Sequence, residues 1–353
     1  MGRLTRRDVM LGSMAGWQIA LAGTPVRLPV RVRVAILGLE GHSGEILEPL
    51  PFLPDVELVA ICSSAAQELP SMPQNVKAKR YWNARQMLDQ ERADVVAVCN
   101  NNGERAAAIL DCLGHGAHVI AEKPLALRRA DLQAIRTAAE RSGKQVGMLL
   151  PMRFEPMYLQ MKQAVADGLV GDVVTIDAQK SYKAGVREEW YRHRDTYGGT
   201  IPWVGIHMID LMRFVSGREF REVSAFAANV AAPALGEMEN VAVAAFRLDN
   251  GGAASLRLDY CRPETAPTHG DDRLRVAGTK GVVEFQEKTG TVLLTQTSRQ
   301  LPPLPPAQSV FVDFLESVYN GKPSRLPAGD IYRVNEVALG AQEAVEQRRI
   351  VAL

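Results

Sequence analysis

The sequence predicts an α/β protein: an N-terminal doubly wound parallel sheet, followed by a C-terminal α+β domain with a large, mainly antiparallel sheet. Three observations carry this. Short, nearly unbroken apolar runs alternate with helical patterns from residue 32 to about residue 150, the pattern of parallel strands covered on both faces. Runs of alternating polarity joined by short turns then occupy much of residues 173–296, as half-buried antiparallel strands do. The length of 353 residues suits about two domains. Net charge is +1 with 23% charged residues, so there is no basic excess to bind nucleic acid and no acidic tail. No apolar run reaches the ~18 residues of a membrane span.

The chain begins with Thr5-Arg6-Arg7-Asp8, a mildly apolar stretch from Met10 to Ala22, and small residues at Ala20 and Ala22. Paired arginines, an apolar segment and a small-residue cleavage site have the layout of a twin-arginine signal peptide over residues 1–22. The expectation is an exported, periplasmic protein carried by the twin-arginine machinery; without such a signal it would be cytoplasmic. Of the four cysteines, Cys62, Cys99 and Cys112 fall in buried-looking elements, and no pair has metal-ligand spacing. They read as core residues, with neither a disulfide nor a metal expected.

The first strand, Val32–Leu37, runs into Gly38-Leu39-Glu40-Gly41-His42-Ser43-Gly44 and then a helical pattern. Glycines let a backbone turn sharply and approach a pyrophosphate, which a helix N-terminus attracts. Gly38, Gly41, His42, Ser43 and Gly44 are therefore candidate contacts to a dinucleotide. The second strand, Val56–Cys62, ends on Ser63 and Ser64. An acidic residue at this place would bind the ribose 2′-hydroxyl of NAD. A serine tolerates a 2′-phosphate, which tilts the expectation from NAD towards NADP, with Lys77, Lys79 or Arg80 as helpers. A third apolar run, Ala93–Cys99, ends in Asn100-Asn101-Asn102 ahead of a helix over about 104–115. The strand His118–Ala121 stops on Glu122-Lys123-Pro124. A Glu and a Lys side by side are costly in a core, and in an open α/β sheet ligands bind beyond the carboxyl ends of the strands. A lysine there can polarise a carbonyl or shuttle a proton. A helix over 128–142 and a strand over 145–150 follow.

Glu122-Lys123-Pro124, followed by Met152-Arg153-Phe154-x-Pro156 in this order of elements, resembles the Gfo/Idh/MocA family of NAD(P)-dependent oxidoreductases, from about Val32 to the C-terminus. The resemblance implies a Rossmann domain over 31–152 and a substrate and dimerisation domain over 153–353, whose last helices return towards the first domain. It implies hydride transfer between a nicotinamide and a ring carbon of a sugar, cyclitol or sugar derivative. It adds Asn100, Asn101, Asn102, Glu122, Lys123 and Arg153 to the cofactor contacts and a homo-oligomer, dimer or tetramer, as the assembly. In the second half, His207 and Asp210 match the family's pattern, with His207 taking the proton of a substrate hydroxyl, Lys123 supporting the oxyanion or relaying the proton, and Asp210 bracing the helix.

The departures are Trp203, four residues before His207, where the family commonly carries an Asp, and Arg105, where it often has His. An indole does not exchange protons near neutral pH, though it stacks on sugar faces. Tyr182, Arg192, Trp203 and His207 are the substrate-facing candidates; the first two fall in a polar, aromatic-rich segment made of 180–183 and 187–197, and the last two in the stretch that follows it. Export suits a tightly held dinucleotide re-reduced within each cycle. Two other readings stand beside the oxidoreductase: an NAD-dependent glycoside hydrolase working by transient oxidation and elimination, and a binding protein that has lost catalysis.

Overall fold

The structure is a computed structural model that describes residues 25–63, 77–286, 290–296 and 299–353. The expected signal segment and Ser64 lie outside the described residues. The chain divides into one unit of Gly23–Pro151 with Gln308–Asn335, and a second of Met152–Ala307 with Glu336–Leu353.

The first unit is built on a six-stranded parallel sheet. In chain order its elements are β1 (Val32–Leu37), a single helical turn α1 (Gly44–Leu47), β2 (Val56–Cys62), β3 (Lys79–Tyr81), α2 (Ala84–Glu91), β4 (Val95–Val98), α3 (Asn102–Gly114), β5 (His118–Ala121), α4 (Arg129–Ser142) and β6 (Val146–Met148). The strand order β3-β2-β1-β4-β5-β6 reverses direction of progression between β1 and β4. That is the switch point at which doubly wound sheets open a crevice. The loops leaving β1 and β4, with Gly38 and Asn100, are therefore the ones that flank it. β4 and β5 are buried almost throughout, which explains their continuous apolar runs. The helix expected after the glycine loop is only α1 followed by a 3-10 turn at Leu50–Phe52. Pro49 and Pro51 remove donors and break the helical ladder there.

The second unit starts with α5 (Pro156–Ala166) and continues through β7 (Val173–Lys183), α6 (Arg194–Tyr197), α7 (Ile206–Ser216), β8 (Phe220–Ala228), β9 (Val241–Leu248), β10 (Ala253–Arg262), β11 (Arg273–Gly278), β12 (Gly281–Gln286) and β13 (Gly290–Thr295). Next come α8 (Val310–Asn320), which belongs to the first unit, and α9 (Ala328–Gln347); β14 (Val351–Ala352) then closes one edge of the second unit's sheet. Its order is β13-β12-β11-β7-β10-β9-β8-β14. All pairings are antiparallel except β7 with β10. Burial alternates residue by residue along β9 and β10, so one face is packed and the other open. α7 packs on β7 and α5 on β12.

Candidate active site

In the first unit the glycine loop, the asparagine loop and the end of β5 are tied together. Gly38 (φ +83°) passes so close to β4 that a Cβ would sit 2.3 Å from the Cys99 carbonyl oxygen. Gly41 (φ +68°) would place a Cβ 2.2 Å from Oε1 of Glu122. Both need glycine for conformation and for space. Gly44 has no positive φ, and its nearest neighbour would be 3.4 Å away, so the third glycine of the motif is not sterically required.

Glu122 is fully buried, and its carboxylate receives three donors. His42 Nδ1 lies 2.6 Å from Oε1, the Lys123 N–H lies 2.9 Å from Oε2, and the backbone N–H of His42 also donates to Oε1. Burial would raise the pKa of this carboxyl. The charges of His42, Lys123 and Arg105 and the His42 hydrogen bond outweigh it and hold the carboxyl near about 2. Glu122 is a staple that fixes the glycine loop to the end of β5.

Arg105, on α3, is also fully buried. Its Nη1 donates to Asn102 Oδ1 at 2.8 Å and to the carbonyls of Lys123 and Pro124 at 3.0 and 2.9 Å, and its Nη2 donates to the Asn100 carbonyl. One guanidinium thus collects the carbonyls at the ends of β4 and β5. The Lys123–Pro124 peptide is cis. Asn335 accepts from the Leu125 N–H at 2.9 Å. Lys123 itself is 3% exposed. Asn101 caps α3, its side chain accepting from the Glu104 N–H at 3.1 Å. Ser43 stands at the start of α1 without a side-chain capping bond. The part of Arg105 in holding this turn was not readable from spacing, since an arginine beside an asparagine loop carries no signal of where its guanidinium goes.

A dinucleotide fits this arrangement. Two glycines leave backbone uncovered where a pyrophosphate would approach. Among the described residues, the buried atoms Ser63 Oγ and Asn100 Oδ1 have no hydrogen-bond partner, at the ends of β2 and β4. Buried polar atoms without partners are uncommon and call for a ligand or water. Beside Ser63, β3 pairs Arg80 with Ile61. Lys79 is committed to Glu91 at 2.9 Å.

In the second unit Arg153 and Asp210 form a buried bidentate pair: Nε donates to Oδ2 at 2.9 Å and Nη2 to Oδ1, with the guanidinium over Phe214. Asp210 therefore fixes α7 to the segment before α5. His207, one turn earlier on the same helix, is 4% exposed. It follows a π-helical turn, Ile201–Gly205, a distortion frequent at functional sites. Trp203 on that turn is 5% exposed. Trp190 and Tyr191 stack on each other with centroids 3.8 Å apart, and both meet Trp203 edge-on at 5.5 and 5.9 Å. Trp203 supports an aromatic platform whose outer members are Trp190 and Tyr191. Arg192 points outward, 3.2 Å from Glu189 in an exposed pair.

On β7, Lys180 donates to Asp272 at 2.7 Å and lies over the Tyr182 ring. Burial alone would lower its pKa, but Asp272 and Tyr182 raise it. Nearby Glu155 is half-buried; desolvation raises its carboxyl to about 7, Lys180 opposing and Asp272 adding to the rise. Cys62, Cys99, Cys112 and Cys261 are all free thiols. No group of three or more His, Cys, Asp and Glu side chains that could hold a metal occurs among the described residues, and no helix there is long and apolar enough to cross a membrane.

Comparison with known proteins places these features. Residues 32–149 match an oxidoreductase family with an NAD-binding Rossmann fold, and residues 158–284 match the GFO/IDH/MocA C-terminal domain. An oxidoreductase structure from Thermotoga maritima superposes with a TM-score of 0.86 at 32% identity, over 91% of this chain and 100% of that one. The chain belongs to the GFO/IDH/MocA family. As a member it is an oxidoreductase with an NAD-binding domain. It is 25% identical over 335 residues to a myo-inositol 2-dehydrogenase of Thermotoga maritima, spanning 91% of this chain and 98% of that protein. It is 29% identical over 167 residues to a D-glucoside 3-dehydrogenase of Escherichia coli, 46% and 47% of the two chains. An aldose–aldose oxidoreductase from Caulobacter crescentus shares the fold, with a TM-score of 0.75 at 23% identity over 92% and 100% of the chains.

Proposed function

We propose that this GFO/IDH/MocA oxidoreductase oxidises a ring hydroxyl of a sugar, cyclitol or sugar derivative. The observation that carries the reading is the Glu122 staple. It fixes the glycine loop against β5 and leaves Lys123 at the strand end, the arrangement that a dinucleotide-dependent enzyme needs. The inositol and glucoside dehydrogenases among its relatives support the substrate class. When bound, the nicotinamide supplies the hydride acceptor. Gly38, Gly41, Ser63 and Asn100 would hold the dinucleotide; the absence of an acid at Ser63 favours NADP over NAD.

His207 takes the hydroxyl proton as general base. In the first unit Lys123 is the group able to support a developing oxyanion or to relay a proton. Asp210 acts on α7 through Arg153, as a positioning residue. Trp203 leaves no carboxylate for a three-membered relay, so in the second unit the proton goes to His207. We further propose export through the paired arginines Arg6 and Arg7, a tightly held cofactor, and a homo-oligomer formed through the open face of the second sheet.

The test is His207→Asn assayed with myo-inositol and methyl glucosides. Loss of a positioned general base costs about 10²–10⁴-fold in kcat, with the dissociation constant of the dinucleotide unchanged. Retention of full kcat would remove His207 from the mechanism.

A further inference from the structure

Arg187 is placed in an unusual way. Its guanidinium lies between two aromatic rings, 5.4 Å from the centroid of Tyr191 and 5.0 Å from that of Tyr260. Its Nη2 donates to the Lys183 carbonyl at 3.1 Å. Its Nε is buried and has no hydrogen-bond partner, and Arg187 makes no ion pair among the described residues. A stacked guanidinium keeps its fork in one plane with its donors at the edge. A half-buried arginine without an acid is costly unless something anionic completes it.

The groups around it are cationic or already committed. Lys183 Nζ donates to the carbonyls of Glu264 and Ala266 at 2.9 and 2.6 Å. Lys180 is neutralised by Asp272. Asp259 accepts from Ser181 at 2.6 Å. His269, stacked on Tyr182 at 4.9 Å, has its pKa lowered by burial and then by Arg187, Lys183 and Lys180, with Glu264 opposing. The local field is positive: Arg187 and Lys183 both lack an acid partner among the described residues, but the Lys183 ammonium is held by two backbone carbonyls while the Arg187 Nε has no partner.

We propose that the substrate carries a carboxylate and that Arg187 binds it: the enzyme acts on a sugar acid, such as a hexuronate, rather than on a neutral sugar. This rests on the reading that the second unit holds a sugar-like substrate. A carboxylate is assigned rather than a phosphate because both lysines beside Arg187 are tied down. One guanidinium matches one negative charge, and its planar fork matches a planar carboxylate.

The experiment uses the full-length protein loaded with dinucleotide. Binding is followed by calorimetry, and turnover by nicotinamide reduction, with D-glucuronate against D-glucose, D-galacturonate against D-galactose, and D-glucose 6-phosphate. A hexuronate is expected to exceed its neutral partner by at least about tenfold in affinity or kcat/KM, the effect of one charge-assisted hydrogen-bonded pair. Arg187→Gln should erase that preference mainly through KM, and Arg187→Lys should restore part of it in a chain that keeps the charge. Equal use of acid and neutral sugars, a preference untouched by Arg187→Gln, or tightest binding of the 6-phosphate would overturn the proposal. Turnover of neutral sugars without acid preference would do so while leaving the oxidoreductase reading intact. Arg187-dependent hexuronate binding without nicotinamide reduction would uphold the proposal and count against that reading.

Discussion

Glu122 and Glu155 are both carboxylates in sparsely solvated places, and their neighbours push them in opposite directions. At Glu122 the neighbouring His42, Lys123 and Arg105 and the donated hydrogen bonds overcome burial, so its folded pKa falls to about 2 from 4.5. Stability from this group is therefore present above pH 4.5 and is lost as pH falls through about 2. Glu122→Gln should cost about 3 kcal/mol at neutral pH, and the gap between variant and wild type should close over that acid window; parallel melting curves at several pH values check it. At Glu155 burial wins and the folded pKa rises to about 7. The sign is reversed: the wild type is favoured at low pH and loses stability as pH rises through about 7. Glu155→Gln should therefore stabilise the protein above neutral pH by about 1–2 kcal/mol, partial exposure having reduced the full linkage value, and should be neutral near pH 4.5. A variant that is less stable than wild type at pH 8 would show that the carboxylate has a partner in the folded chain.

The loop between β1 and α1 shows why a motif's letters are not equivalent. Gly38 and Gly41 are held in positive φ against the Cys99 carbonyl and the Glu122 carboxylate. Gly44 opens the short helix with room for a methyl group. Gly41→Ala should weaken dinucleotide binding at least tenfold and destabilise the chain by about 1–3 kcal/mol. Gly44→Ala should bind within about threefold of wild type. Titration of both variants separates backbone placement from a general need for small residues. The strand, the glycines and the Glu122-Lys123-Pro124 terminus were legible because each breaks a local rule: a charged pair ends an apolar run, and glycines cluster where a helix should start. The part of Arg105 was not, because its job is to collect carbonyls from β4 and β5, which meet only in the folded sheet. The short α1 was overestimated for a local reason that was visible, the prolines at 49 and 51.

At the scale of the whole chain, the two sheet types were legible from periodicity, since burial on both faces and burial on one face write different patterns. The parallel pairing of β7 with β10 was not, because register and neighbour choice depend on contacts far apart in sequence. The three-residue β3 and the two-residue β14 are too short to show a period. In the second unit His207 and Asp210 were placed on one helix from their spacing, but the partner of Asp210, Arg153, lies 57 positions away, beyond any helical repeat. Arg187 was visible only as one more charge in an aromatic segment; its lack of an acid partner is a property of the fold. The two units carry different parts of the proposed chemistry, dinucleotide binding in the first and substrate binding in the second, and each can be read by its own ligand.

The most direct measurement is the dinucleotide content and affinity of the native protein. One portion of protein purified without added cofactor would be denatured and the released nucleotide identified by mass, and a second portion, kept folded and dialysed free of nucleotide, titrated with NAD+ and NADP+. The account predicts one site per chain for a nicotinamide dinucleotide, weakened by Gly41→Ala and preserved in His207→Asn. A protein that releases no nucleotide and binds neither at millimolar concentration would contradict it.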